Sequence, residues 1–332
     1  MGEKLDLGLR SGLLDGFHGL IVERHGVRVL ERYQPGKDWT WGRDLGEVDH
    51  GPTTLHDLRS VSKSVTSLVY AIAAAEGKAP PPEANLLDQF PAYTDLAADP
   101  QRAAWTVQHV LDMVLGTQWN EDLPYTDPRN SEIAMERADD RYRFVLERPI
   151  IGEPGTRWQY SGGCSALLGA LIERGTGMPL DAYAAETLFG PLGIERFEWM
   201  KGADGVASPA SGLRLTLPDL AKLGRLFLAK GEWEGRQIVP ADWIAACSTP
   251  SVPSSRGRFY SRQWHLHREI IPATGSMAPF IAAVGNGGQR LFIAPSLDLV
   301  IALTGGNYNT PSQWIVPTLV LRNIVLANIE RV

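Results

Sequence analysis

The chain has 332 residues, 44% hydrophobic and 21% charged, with 34 glycines, 23 prolines and a formal net charge of −6. That length supports a sizeable core without disulfides or metal as staples, and the composition excludes intrinsic disorder, collagen and a disulfide scaffold. A mildly acidic chain with no basic tract is a poor partner for nucleic acid, because phosphate neutralisation needs clustered Lys and Arg.

Residues 17–23 and 27–33 alternate apolar and polar positions around Arg24-His25-Gly26, which predicts a β-hairpin. Residues 61–76 form an Ala-rich run ending at Gly77, and apolarity on every side predicts a buried helix. Pro80-Pro81-Pro82 then breaks the chain. Residues 106–115 predict a helix stopped by Gly116, residues 117–130 a polar, aromatic-rich loop, and residues 131–147 another helix. Glu153-Pro154-Gly155 reads as a turn. Helices are expected over 163–174, 179–189 and 217–229. Strands return at 289–294 and 298–304 around Pro295-Ser296-Leu297, and 313–329 closes as a helix. Strands at both ends with helices between them predict an α+β fold. The expectation is one unit over 1–332, with a sheet part at about 1–75 and 210–332 and a helical insertion at about 76–209.

The two cysteines, Cys164 and Cys247, are too far apart for a metal knuckle and read as free, buried thiols. The first ten residues carry charges where a secretory signal needs an apolar run, and no run of 18 apolar residues occurs. A cytoplasmic protein without membrane contact is expected.

Ser60-Val61-Ser62-Lys63 fits S-x-x-K. Ser60 stands at the start of the most buried helix, where free backbone N–H groups and the positive end of the helix dipole lie. Lys63 falls one turn later on the same face. Helix capping would explain Ser60, but not Lys63, the only charge in the first fifteen residues of that helix. A buried ammonium is costly unless it is paired. A desolvated lysine has a lowered pKa and can accept or relay a proton. On that reading Lys63→Met raises the melting temperature while abolishing acylation.

The segment Leu58-Arg-Ser-Val-Ser-Lys-Ser-Val-Thr resembles the active-site helix of the serine β-lactamase-like superfamily, especially class C β-lactamases, family VIII esterases and 6-aminohexanoate-dimer hydrolases. Gly155-Thr-Arg-Trp-Gln-Tyr160-Ser-Gly resembles the segment carrying the family's catalytic Tyr. Ala283-Val-Gly-Asn-Gly-Gly-Gln289, running on to Pro295 and Asp298, resembles the strand pair at the active-site edge. Weaker likenesses at Thr106-Val-Gln-His, Ser211-Gly-Leu-Arg and Ala221-Lys-Leu-Gly extend the resemblance over about 17–330. It implies a β-lactamase/transpeptidase-like fold, a central antiparallel sheet flanked by helices with an inserted helical domain.

The resemblance also implies roles. Ser60 would be the nucleophile that forms an acyl-enzyme, activated by Lys63 and Tyr160. A phenol has a pKa near 10 in water and serves as a base only beside a cation. Gly285-Asn286-Gly287-Gly288 reads as edge strand and turn, with the oxyanion between the backbone N–H groups of Ser60 and Asn286 or a neighbour. Trp119, Asn120, Glu121, Tyr125 and Asp127 form a polar-aromatic cluster in the loop that would overhang Ser60, with Trp119 and Tyr125 as substrate contacts. Trp264 is expected on the opposite wall.

The chain departs from the family's lactamases in two places: Tyr160-Ser161-Gly162 stands where they carry Y-x-N, and K-T-G is absent. Those groups normally grip a β-lactam. The expected activity is therefore hydrolysis of a small ester or amide by a serine hydrolase with no metal or other cofactor. The alternatives are a β-lactamase or D-Ala-D-Ala peptidase and, in another class, a non-catalytic binding protein on the same fold. His265-Leu-His267 puts two imidazoles on one strand face, as a metal site could, but reads as surface or packed side chains. No G-x-S-x-G, H-E-x-x-H or phosphate-binding G-K-[ST] occurs.

Overall fold

In the computed structural model, which describes residues 1–255 and 257–329, the alternating N-terminal segment folds as expected. Strands Phe17–Arg24 and Val27–Tyr33 turn through His25 and Gly26, both at positive φ. The first of them pairs antiparallel with Leu299–Gly305, Ile21 opposite Ala302. The ends of the chain thus share one eight-stranded antiparallel sheet, in the order 252–253, 259–261, 264–271, 276–285, 289–294, 299–305, 17–24, 27–33.

Burial on both faces explains the long apolar runs in the central strands. Against one face lie the helices Gly2–Arg10 and Ser312–Leu319, closing a core of Leu5, Leu20, Phe280, Ile301, Val320 and Val325. Against the other lie Val61–Ala75 and the amphipathic Leu217–Leu228, joined in a larger core by the helices inserted between them. Every element between residues 87 and 189 is a short or medium helix. No helix is long and apolar enough to cross a membrane among the described residues.

Several expectations need correction. The 131–147 helix is two, Ser131–Glu136 and Arg141–Leu146. Each has its own side-chain cap, Asn130 accepting from Glu132 N at 3.0 Å and Asp140 from Arg143 N at 2.9 Å. The 106–115 helix is only Val107–Leu111, because Met113 turns to φ 56° and Gly116 to φ 75°. The C-terminal helix keeps its α geometry to Leu319 and continues as a wider turn over Val320–Val325. The strands expected around 265–267 and from 283 on extend into one long hairpin, Trp264–Ile271 and Ser276–Gly285, and the first helix is a further element. Residues 285–288 are not at a sheet edge. They end an interior strand and make a tight turn, with Gly287 and Gly288 at φ 94° and 106°.

Candidate active site

The backbone entering the Val61–Ala75 helix is held in an unusual shape. Arg59 has φ 49°, a left-handed conformation costly for a side chain of its size. Asp57 Oδ1 accepts from its N–H at 3.0 Å, and its carbonyl accepts from Ser62 Oγ at 2.6 Å. Ser62 in turn accepts from Leu213 N at 3.0 Å. Ser60 makes no side-chain capping bond. Its Oγ accepts instead from Lys63 Nζ at 3.1 Å, so the hydroxyl faces the lysine rather than the helix end.

Lys63 is 1% exposed. Its ammonium also donates to the Ala210 carbonyl at 3.0 Å, lies 3.5 Å from Glu132 Oε2 and sits 4.9 Å from the centre of the Tyr160 ring. The Tyr160 phenol interacts electrostatically with both Ser60 and Lys63. Tyr160 stacks against His265, with ring centres 6.1 Å apart, and its neighbour Trp158 packs at a tilt against it and against Tyr260.

The expected lowering of Lys63 is reversed. Burial pulls its pKa down, but Glu132, Tyr160 and Glu121 outweigh burial and raise it above the ordinary lysine value. Lys63 is therefore an ammonium at rest, a donor with no lone pair to offer. Tyr160 is raised by burial, an effect only partly offset by Lys63.

The carboxylates responsible are the residues that sequence reasoning undervalued. Glu132 lies in the first helical turn after Asn130, where an acid is commonplace and carries no signal. Here it is 4% exposed and pointed at Lys63. Glu121 accepts from Trp119 Nε1 at 2.6 Å, from Gly162 N, and from Tyr125 OH at 3.3 Å. Burial and the neighbouring Glu132 push its pKa up to about 8, so near neutral pH it holds a proton against Glu132. A Cβ on Gly162 would run into the Glu132 carboxylate. Glu132 fills the space that an Asn side chain at the third position of Y-x-N would need.

The cleft beside Ser60 has a volume of about 490 Å³. Of the expected residues, Ser60, Tyr125, Tyr160, Gly285 and Asn286 line it. Gly285 approaches closely, since a Cβ there would strike the Leu58 carbonyl. The Asn286 side chain is tied to Asn309, donating to Oδ1 at 2.7 Å and accepting from N at 2.8 Å. Trp119, Gly287, Gly288 and Trp264 are corrections. Trp119 is 5% exposed and holds Glu121 through its indole N–H. Gly287 and Gly288 form the turn behind Asn286, Gly287 N donating to Gln313 Oε1 at 3.4 Å. Trp264 is a core residue against Phe227, with ring centres 4.8 Å apart. His265 and His267 do share a strand face, but one packs on Tyr160 and Tyr260 and the other on Phe280. Both cysteines are free and buried. Burial lifts the Cys164 thiol to about 12, which removes it as a competing nucleophile.

A buried lysine between half-buried Ser60 and Tyr160, set between an antiparallel sheet and a helical insertion, defines a class: the β-lactamase-fold proteins. The chain belongs to the Beta-lactamase family, whose sequence profile matches residues 18–312. It is 26% identical over 276 residues to the 6-aminohexanoate-dimer hydrolase of Paenarthrobacter ureafaciens, a stretch covering 75% of this chain and 66% of that enzyme. It is 28% identical over 183 residues to esterase EstB of Burkholderia gladioli, covering 52% of this chain and 44% of the esterase. The matches thus span less than two thirds of these relatives' own length. A solved structure from Bacillus anthracis, a candidate 6-aminohexanoate-dimer hydrolase, superposes with a TM-score of 0.73 at 20% identity over 95% of this chain and 80% of that one. That likeness is one of fold.

Proposed function

We propose that the protein hydrolyses a small ester or amide through an acyl-Ser60 intermediate. The observation that carries this reading is the contact set at the head of the cleft. Lys63 donates to Ser60 Oγ and lies 4.9 Å from the centre of the Tyr160 ring, whose phenol interacts with both. Lys63 as an ammonium can only donate, so the Ser60 proton is directed to the Tyr160 oxygen. Tyr160 can take that proton only in its phenolate form, which the Lys63 ammonium stabilises against burial, and in that form it is the general base.

From the form in which Tyr160 is the phenolate, Ser60 Oγ attacks the substrate carbonyl carbon as its proton passes to the phenolate oxygen. The oxyanion lies between the backbone N–H groups of Ser60 and Asn286. Collapse breaks the bond to the leaving alcohol or amine, which takes the proton back from Tyr160. Water, deprotonated by Tyr160, then attacks the acyl carbon, and Ser60 leaves with that proton. The esterase and the dimer hydrolase among the relatives support both substrate classes. Glu132, standing where a β-lactam-gripping Asn would project, favours them over a lactam.

The test is covalent labelling of the protein and of Ser60→Ala with a fluorophosphonate, with turnover of p-nitrophenyl acetate and butyrate. A single adduct on Ser60, and turnover lost in the variant, is expected. Unchanged turnover in Ser60→Ala overturns the reading. Absence of both adduct and turnover in the unaltered protein overturns it in favour of a binding protein.

A further inference from the structure

Away from the cleft, four side chains from four separate segments converge: His18 on the 17–24 strand, Asp38 on Gly36–Thr40, His50 in the loop after Arg43–Val48, and His56 on His56–Asp57. One ligand atom from each lies within 4.8 Å of the others, and all four residues are buried. We infer that His18, Asp38, His50 and His56 form a structural zinc-type site that pins the segment leading into Ser60.

The donor set fits. Three imidazoles and one carboxylate match the nitrogen and oxygen ligands of tetrahedral Zn²⁺ and not the all-oxygen shells of Ca²⁺ or Mg²⁺. Zn–N bonds of 2.0–2.1 Å put neighbouring ligand atoms about 3.3 Å apart in a tetrahedron. Here His18 Nδ1 and His56 Nε2 are 2.9 Å apart, and His56 Nε2 and Asp38 Oδ1 are 3.8 Å apart. Shifts of a few tenths of an ångström would bring both near that edge.

The groups around these four side chains are in place as well. His56 Nδ1 is 3.0 Å from the Asp57 carbonyl, which fixes the proton there and leaves Nε2 as the lone pair. Tyr308 OH donates to Asp38 Oδ1 at 2.8 Å. Two buried atoms remain without a hydrogen-bond partner, Asp38 Oδ2 and His50 Nε2. Orphaned buried polar atoms are expensive, and a cation would satisfy both. His18 also has a fitted place. A Cβ on Gly36 or on Gly306 would come within 2.6 Å of its ring.

Four protein ligands and full burial describe a closed site, so the role is structural. His56 precedes Ser60 by four residues. Tyr308 joins Asp38 to Arg59, whose guanidinium lies 4.8 Å from the tyrosine ring centre.

The test uses the full chain without a polyhistidine tag. Metal content is measured as purified, and the chelator-stripped protein is titrated with Zn²⁺ and with Co²⁺. Zinc near one per chain is expected, with intense visible Co²⁺ bands of a tetrahedral site and a Tm rise of at least about 5 °C at zinc 100-fold above Kd. His50→Ala, at the rim of the cluster, should lose the bands and the Tm rise while still turning over ester. Stripped protein that gives neither bands nor a Tm rise overturns the inference, as does a His50→Ala protein that binds cobalt like the parent. Should His50→Ala not fold, the cobalt spectrum and anomalous scattering of the unaltered chain decide. A metal found elsewhere, or none, overturns it. Loss of ester turnover in Ser60→Ala is independent of all these readouts, so this inference and the catalytic reading fail separately.

Discussion

Lys63 is the residue where structure changes an argument's sign. Were it an unpaired buried cation, replacing it with Met would relieve a desolvation cost. Its partner is the equally buried Glu132, 3.5 Å away. Removing one member of a buried pair strands the other and costs about 3–5 kcal/mol. Lys63→Met is therefore expected to lower the melting temperature at alkaline pH as well as abolish acylation, with a smaller loss near pH 5, where the freed carboxylates take up protons. Thermal scans across pH check this; a variant more stable than the parent at alkaline pH contradicts it.

Glu121 gives a second titration. Its pKa stands at about 8 against an ordinary 4.5, because of burial and Glu132. The folded chain binds the proton more tightly than the unfolded one. The stability this contributes is complete below about pH 4.5 and is lost as pH climbs to about 8. Glu121→Gln mimics the protonated form: its amide oxygen can accept from Trp119 and Gly162, and its NH₂ can donate to Glu132. The Tm of the variant minus that of the parent should be near zero at about pH 5 and reach several degrees by about pH 9. A difference that stays flat across that range would rule the shared proton out.

At the scale of elements, what could be read in the sequence was whatever is local. The 17–33 hairpin, the uniformly apolar 61–75 helix, the capped 217–228 helix and the 289–305 strand pair each carry their periodicity in a short window. So do Ser60 and Lys63, one helical turn apart. The interior strands 264–271 and 276–285 are legible only in part, at 265–267 and from 283 on, because His265, His267, Arg268 and Glu269 break the apolar pattern of the first; several of them face the cleft, where polarity is wanted. Glu132 and the His18–Asp38–His50–His56 group were illegible for another reason. Their partners lie up to 69 residues away in sequence, counting Lys63 to Glu132, and only the fold joins them. Trp119 lies in the loop the sequence points to, but its burial and its indole N–H on Glu121 depend on neighbours the loop sequence does not show.

At the scale of the whole molecule, the sheet and the helical insertion meet at Ser60, and on the proposed reading the cleft between them sets which acyl group is taken. Its volume, about 490 Å³, suits a small ligand. Its walls carry Arg258, His267, Glu269, Arg290 and Arg322 beside the aromatic Tyr125 and Trp314. Glu269 is already paired with Arg322 at 2.8 Å, and Arg290 donates to the Gly285 and Gln313 carbonyls at 2.8 and 2.9 Å. A methylene gains about 0.8 kcal/mol when buried among apolar atoms. Against these charged walls it gains less, and each one that displaces hydration from an arginine or carboxylate adds a cost. A greasy tunnel would reward every carbon added to the acyl chain; this cleft should stop doing so early. For p-nitrophenyl esters, kcat/KM is accordingly expected to be highest for acetate or butyrate and to fall by at least about tenfold by dodecanoate, a loss of about 1.4 kcal/mol in transition-state binding. A rise that continues through dodecanoate would mean that the acyl chain leaves by an apolar route other than this cleft.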